Sequence, residues 1–445
     1  MRFVPNRRRH EGGAIPTLTG TRLLAFLAPC TALLYYFANP ERHSPFDYTM
    51  RVAEALLHGH LGVTELPPSW LNEMIPHQGA YYSAFPLGAV LSMIPVALLK
   101  MAGLVTAYPS AGIAAIQAGG IVLFCFGLTS LYGDRYERRI LLTLFPVFGT
   151  WTFCNLAFGG AWQIALGFAL LGQVGALYFV LVDRRPLAAG LLFAIACGNR
   201  TEVILAAPVF LYLLLRSPGG PACEGERLAS PPTPCEAPVT GLAARLAGRL
   251  TRTCRAQASS ALRFLVIPVM LAACTLAYNY ERFGSVQDFG YSRIPGVLSE
   301  AGYTHGVFSL KAIAINSRAM VLGGWKRVRH YPYLVPDGFG GSIFLSCPLL
   351  LLLFRPGARR RDSAMRWCCW IAIIALTLVL WTHGNPGGWQ YSYRYAIELL
   401  PWMFMLLLEA DWRSRLWIEP ALFGLSVSIS IWATYLFLWT QYVRP

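Results

Sequence analysis

Eleven apolar stretches, most of them near membrane-spanning length, recur along this 445-residue chain, and arginines gather in alternate gaps between them. A helix needs about 20 apolar residues to cross the hydrocarbon core of a bilayer. In lipid every backbone N–H and C=O must be bonded internally, so a chain of this pattern has little choice but a bundle of helices. Composition agrees: 13% of residues are charged, against about 25% in soluble domains. The expected fold class is therefore an all-α, polytopic membrane protein, with residues 1–445 forming one membrane domain. The first stretch has a basic start but no small-x-small site after it, so it is read as a span and not as a cleaved signal peptide.

Charge orients the bundle. The chain carries 37 Lys and Arg against 22 Asp and Glu, a net +15, and only three of the 37 are Lys. Spans are read at 22–38, 110–131, 140–157, 162–182, 187–199, 202–216, 264–281, 341–355, 367–382, 396–410 and 417–440. Eleven crossings with the amino terminus inside put 24 of the 37 basic residues on the cytoplasmic side, as the positive-inside rule requires. That distribution accounts for the charge without nucleic acid, and anionic lipid headgroups are the expected partners. Counting 85–104 as a crossing would invert the arginine-rich loops, so it is read as a re-entrant or interfacial helix. Most of the eleven cysteines lie in apolar runs and no C-x-x-C pair occurs, which argues against a zinc framework.

Two long polar segments, 39–109 and 282–340, fall outside on this count, and the longest inner loop is 217–262. The first part of that loop is rich in Pro, Gly and Ser and reads as a linker. Its second part spaces Arg245, Arg249, Arg252 and Arg255 as the basic face of an amphipathic helix. No internal repeat is visible, which counts against a transporter.

The residues able to carry chemistry cluster at the outer ends of helices. Asp47 follows the first span in Ser44-Pro45-Phe46-Asp47, with Phe46, Met50, Leu57 and Leu61 on one helical face. A capping box led by Ser44 explains an acid there equally well, and capping would still fix the carboxylate at the helix start. Glu54, His58 and His60 on the same stretch have the donor types for a divalent metal, though a solvated His-x-His is the plainer reading. Arg200 and Glu202 lie between two short apolar runs. They either mark a tight outer turn or form a cationic site for a phosphate, whose oxygens match a guanidinium fork. Arg394, among Tyr391, Tyr393 and Tyr395, is either a snorkelling arginine in an aromatic belt or part of the same site. Trp325, Lys326, Arg327, Arg329, His330, Tyr331 and Tyr333 form a basic-aromatic group that would rest on the membrane or hold headgroups.

Four segments resemble the GT-C superfamily of membrane glycosyltransferases, which includes protein O-mannosyltransferases and lipid A aminoarabinose transferases. They are HSPFDYTMRVAEALLHGHL, HQGAYYSAFPLGAVLSMIP, YNYERFGSVQDFGY and GGWQYSYRYAIELLPW, in the family's order. The resemblance implies an inverting transferase that takes a sugar from a polyprenyl-phosphate carrier at the outer face of a bacterial inner membrane and passes it to a glycan, lipid or protein acceptor. It also implies that Asp47 acts as general base and that Arg200 and Arg394 hold the carrier phosphate. Within the four segments and the helix that follows Asp47, the expected donor or acceptor contacts are Arg51, Glu54, His77, Tyr81, Tyr82, Asp288 and Tyr393. The family often has two adjacent acids where Asp47 stands between Phe46 and Tyr48, so a divalent metal stays open. The leaving group is a phosphate, so a carboxylate base and a positive charge suffice, without the second carboxylate of a glycosidase. A transporter or lipid flippase would instead put ionisable residues on broken helices, and a non-catalytic assembly factor would need no acid at position 47.

Overall fold

The computed structural model describes residues 15–132, 134–216, 240–355, 359–360, 362–411 and 417–443. Helix α1 (Ile15–Phe37) is followed by α2 (Tyr48–Leu57), a hairpin of β1 (Met74–His77) and β2 (Ala80–Ser83), α3 (Leu87–Leu91) and α4 (Ile94–Met101). Next come α5 (Ser110–Leu128), α6 (Tyr136–Phe148), α7 (Thr152–Phe158), α8 (Ala161–Leu181), α9 (Pro186–Asn199), α10 (Ala207–Leu215) and α11 (Thr240–Phe283). The chain ends in α12 (Ile313–Leu322), α13 (Ile343–Ser346), α14 (Ser363–Thr382), α15 (Leu400–Glu409) and α16 (Ile418–Leu438).

Among the described residues, five helices are long and apolar enough to cross a membrane, or six if α6 and α7, bent by 45°, form one span. Several other expected spans are broken. The stretch 341–355 divides at Cys347 into α13 and a 3₁₀ segment, Pro348–Phe354. A residue before proline is driven out of the α region, and Cys347 has φ −140° and ψ 82°. Between the expected spans 187–199 and 202–216 the chain turns at Arg200, as the sequence spacing has it: its extended backbone ends α9 and starts the 3₁₀ turn Thr201–Ala206. The stretch 396–410 begins as a 3₁₀ turn, Arg394–Leu399, before α15. Residues 85–104 are not one helix: α3 and α4 meet at Ser92-Met93.

Helices α5 and α8 form the interior, and α9 packs against α8 and α11. Glycines permit this closeness. A Cβ on Gly190 of α9 would lie 2.1 Å from the Phe264 carbonyl oxygen of α11. Phe193, Phe210, Phe264 and Trp402 join rings beside that contact. From Arg255 onward α11 faces mostly outward, exposing Leu262, Val266, Val269 and Met270, the surface expected of a helix against lipid. The inner-loop helix and the span after it are one helix, α11. The linker 217–239 and the side chains of Arg245, Arg249 and Arg252 lie outside the described residues.

The bundle has two distinct ends. At one, segments 39–109 and 282–340 pack together: Ile75 joins Phe283, Ile294, Val297 and Tyr303 in one cluster, and Arg282 donates to the Ser83 carbonyl at 2.8 Å. The other end is knotted by Arg138, which bonds Asp134, Glu419 and the carbonyls of Leu407 and Ala410. The basic-aromatic group at 325–333 is a small hairpin: Lys326-Arg327 pair with Leu334-Val335, Lys326 reaches Asp337 at 3.2 Å, and Arg327, Arg329 and His330 are exposed.

Candidate active site

Polar side chains from five separate parts of the chain converge where the two long segments meet the bundle. The deepest group is ionic. Arg200 donates Nε–H to Glu398 at 2.8 Å and a second N–H to Glu202. The Glu398 side chain is fully buried. Burying a charge is tolerable only when it is paired and hydrogen-bonded, and the non-helical backbone at Arg200 and at Tyr393, which starts the turn bearing Glu398, brings these three together. The Arg200 guanidinium also lies 4.8 Å from the Tyr395 ring centre.

Arg394 approaches the same Tyr395 ring at 5.2 Å, yet its surroundings differ. Only 5% exposed, it donates one Nη–H to the Trp389 carbonyl at 3.1 Å, while its Nε–H has no hydrogen-bond partner. Among the described residues it forms no ion pair. The guanidinium sits 6.0 Å from the centre of the Trp162 ring, at the start of α8.

Trp162 leads to a residue the motif reading passed over. Its indole N–H donates to Glu73 at 3.1 Å. Glu73 stands just before β1, and loss of solvent pushes its carboxyl up to about 7, against a smaller downward pull from Arg394. Beside it Tyr48 packs edge-on to Trp162, with ring centres 4.8 Å apart. Burial raises the Tyr48 phenol, and the charges of Glu73 and Asp47 add to the rise. Thus Asp47 and Glu73 both act on one phenol.

His383, just past α14, closes the other side. It meets Tyr291, Tyr303 and Tyr395 edge-on at 5.6–5.8 Å. Its Nδ1 lies 2.9 Å from the Asn385 carbonyl. A carbonyl only accepts, so Nδ1 carries the proton and Nε2 is the free acceptor of the neutral ring. Desolvation lowers its pKa, which keeps that ring neutral at pH 7.

Helix α2 starts at Tyr48, not at Ser44, so no Ser44-led capping box forms. Asp47 occupies the N-cap position without a side-chain cap bond; its carboxylate instead takes Nε–H of Arg51 at 2.7 Å. Met50, Val52 and Ala53 are buried, but Leu61 lies beyond the helix. Glu54 is tied to Lys100 of α4 at 2.8 Å, and the exposed His58 turns Nδ1 to the Glu54 carbonyl at 2.8 Å. Glu54, His58 and His60 therefore do not converge, and no group of three metal-ligating side chains forms among the described residues. His77 and Tyr82 pack on Phe283, steadying the hairpin, and Tyr81 pairs its backbone with Val63. Asp288 is bound to Arg293 at 2.7 Å and caps Gly290. Tyr393 is fully buried, donates to the Leu380 carbonyl at 3.1 Å and packs edge-on against Tyr395 with ring centres 5.9 Å apart, so it backs the cluster from within the bundle.

Glu398 carried a signal in its position, an acid inside an apolar run. Glu73 carried none, since it is one acid in a polar loop. Compared with family models, curated proteins and solved structures, the chain matches none.

Proposed function

We propose that this chain is a glycosyltransferase that moves a sugar from a polyprenyl-phosphate donor to an acceptor at the outer membrane surface, within an eleven-crossing GT-C-like bundle. The observation that carries the reading is Arg394: a buried guanidinium with an unspent N–H and no carboxylate of its own, beside the segment that bears Asp47 and Glu73. Such a cation suits a phosphate that gains charge as it leaves. Arg200, already holding two carboxylates, is better suited to fixing Tyr395 and the Arg394 turn. The sugar C1–phosphate oxygen bond breaks with its electron pair going to the phosphate, the acceptor oxygen bonds C1, and the acceptor proton passes to Asp47. One displacement inverts the anomeric centre.

Asp47→Asn tests the base. It keeps size and the N-cap preference but cannot accept the proton. Sugar transfer by the purified protein should fall by roughly 10²–10⁴-fold with folding and donor binding retained. Transfer at the parental rate would remove Asp47 from the chemistry.

One feature favours a second reading, a transporter or flippase. The Arg200, Glu202 and Glu398 group lies at the break between α9 and α10 and at the 3₁₀ start of α15, where transporters hold ionisable residues. Ion or lipid flux in proteoliposomes that is lost in Glu398→Gln, without any sugar transfer, would favour it.

A further inference from the structure

Glu73 and Arg394 address the same place from different parts of the chain. Glu73 accepts the indole N–H of Trp162, and Arg394 lies by the ring of that same indole. They form no ion pair with each other, although each feels the other's charge. The groups facing Glu73 are Arg394 ahead of α15, Glu300 and Tyr303 from the second long segment, Tyr291 from the same segment, and Tyr48 of α2. Among the described residues that is one cation, one carboxylate and three phenols, with Trp162 of α8 donating a hydrogen bond directly to the Glu73 carboxyl. Desolvation outweighs the cation, so near neutral pH the carboxyl exchanges a proton readily.

We infer that Glu73 is a second ligand of the phosphate held at Arg394, and that it binds as a neutral acid, donating its O–H to a phosphate oxygen. The inference rests on the phosphate reading of Arg394 proposed above. A phosphate oxygen only accepts, and only a protonated carboxyl has a hydrogen to give. A bound phosphate also removes the advantage Arg394 gives to the ionised acid and adds a like charge, so binding itself drives Glu73 toward the protonated form. In the transfer step the phosphate goes from a diester with one negative charge to a monoester with two. A fixed O–H and a guanidinium then bind the product-like state more tightly than the substrate. Glu73 keeps its proton throughout, while the acceptor's proton goes to Asp47.

The linkage has a sign. Below about pH 7 Glu73 is already protonated, and phosphate binds at full affinity. Above it, binding must take up a proton, so affinity should fall by up to about tenfold per pH unit until the bound-state pKa is passed. The test uses the purified full chain in detergent and farnesyl monophosphate, by titration calorimetry from pH 7 to 9. The second ionisation of a phosphate monoester lies near 6, so the ligand itself hardly titrates there. Wild type should weaken roughly tenfold per unit as pH rises, and Glu73→Gln should bind like wild type at pH 7 or more tightly and stay level. At pH 8 the wild-type heat should change with the ionisation enthalpy of the buffer, reporting proton uptake on binding, and the Gln variant should show none. Equal pH profiles for wild type and Glu73→Gln would overturn the inference while leaving the Arg394 site intact. If the variant does not fold, absence of proton uptake by wild type at pH 8 overturns it alone. Absence of any farnesyl phosphate binding by wild type would end the phosphate reading and this inference together.

Discussion

Arg200 and Arg394 share one aromatic neighbour, Tyr395, and differ in everything else. Removing the Arg200 guanidinium leaves Glu202 without its cation and the fully buried Glu398 without its hydrogen-bond donor. Arg200→Ala should therefore destabilise the fold, by about 3–5 kcal/mol, seen as a lower Tm and a poor yield. Arg394→Ala strands no carboxylate. It should fold, and weaken binding of a lipid phosphate by about 1.5–3 kcal/mol, roughly 10- to 150-fold. Phosphate binding unchanged in a folded Arg394→Ala protein would remove the site. Glu73 adds a pH signature to stability. Its folded pKa, about 7, exceeds the ordinary glutamate value of about 4.3, so the folded state binds the extra proton between these values and stability falls as pH rises through that window. Glu73→Gln cannot ionise, so its Tm relative to wild type should climb from pH 4.5 to 7 and level off above.

Helices here are held in place by what they lack. A Cβ on Gly88 of α3 would lie 2.4 Å from the Cα of Gly198 in α9, backbone against backbone, with no flexible side chain to give way. Gly88→Ala should push α3 off α9 and cost about 1–3 kcal/mol. It should also disturb the hairpin before α3, and with it Glu73. Gly112 in the first turn of α5 has open space around its Cβ position, so Gly112→Ala should be neutral or stabilising by up to about 1 kcal/mol, as a Gly→Ala replacement at a compatible backbone position. Thermal unfolding of both variants checks the contrast; equal Tm values would mean the α3–α9 contact is not close. The long spans were legible because each is a continuous run of apolar residues. The breaks were less so. Polar residues between two short apolar runs did mark the turn at Arg200, but the break at Cys347 lies inside an apolar stretch read as one span, and the pairing of Arg200 with Glu398 joins residues distant in sequence.

Across the whole chain, α14 runs from Asp362 at one end of the bundle to His383 at the other. The hairpin turn at Gln78 lies at the His383 end, and Arg360 lies at the Asp362 end, paired to Ala410. On the proposed eleven-crossing topology, Gln78 would face out and Arg360 in. In a cysteine-free background, Gln78→Cys should react with an impermeant thiol reagent in intact cells, and Arg360→Cys only after the membrane is opened. Labelling of Arg360→Cys from outside would invert the bundle and move the proposed site to the cytoplasmic face.

Hydropathy is a sum over neighbours in sequence, so the helical membrane class, the long spans and the two polar segments could be read along the chain. The same holds for Asp47 and Arg394 as ionisable residues at helix ends, since a charge beside an apolar run is a local fact. Which charge is spent is not local. Arg200 meets Glu398 across 198 positions, and Trp162 meets Glu73 across 89. Their contacts exist only because the backbone breaks and packs there, and the solvent they exclude raises the Glu73 carboxyl. Packing gave one of two arginines of equal promise two ion pairs and the other none among the described residues, because the free energy of a buried charge is set by the partners that surround it.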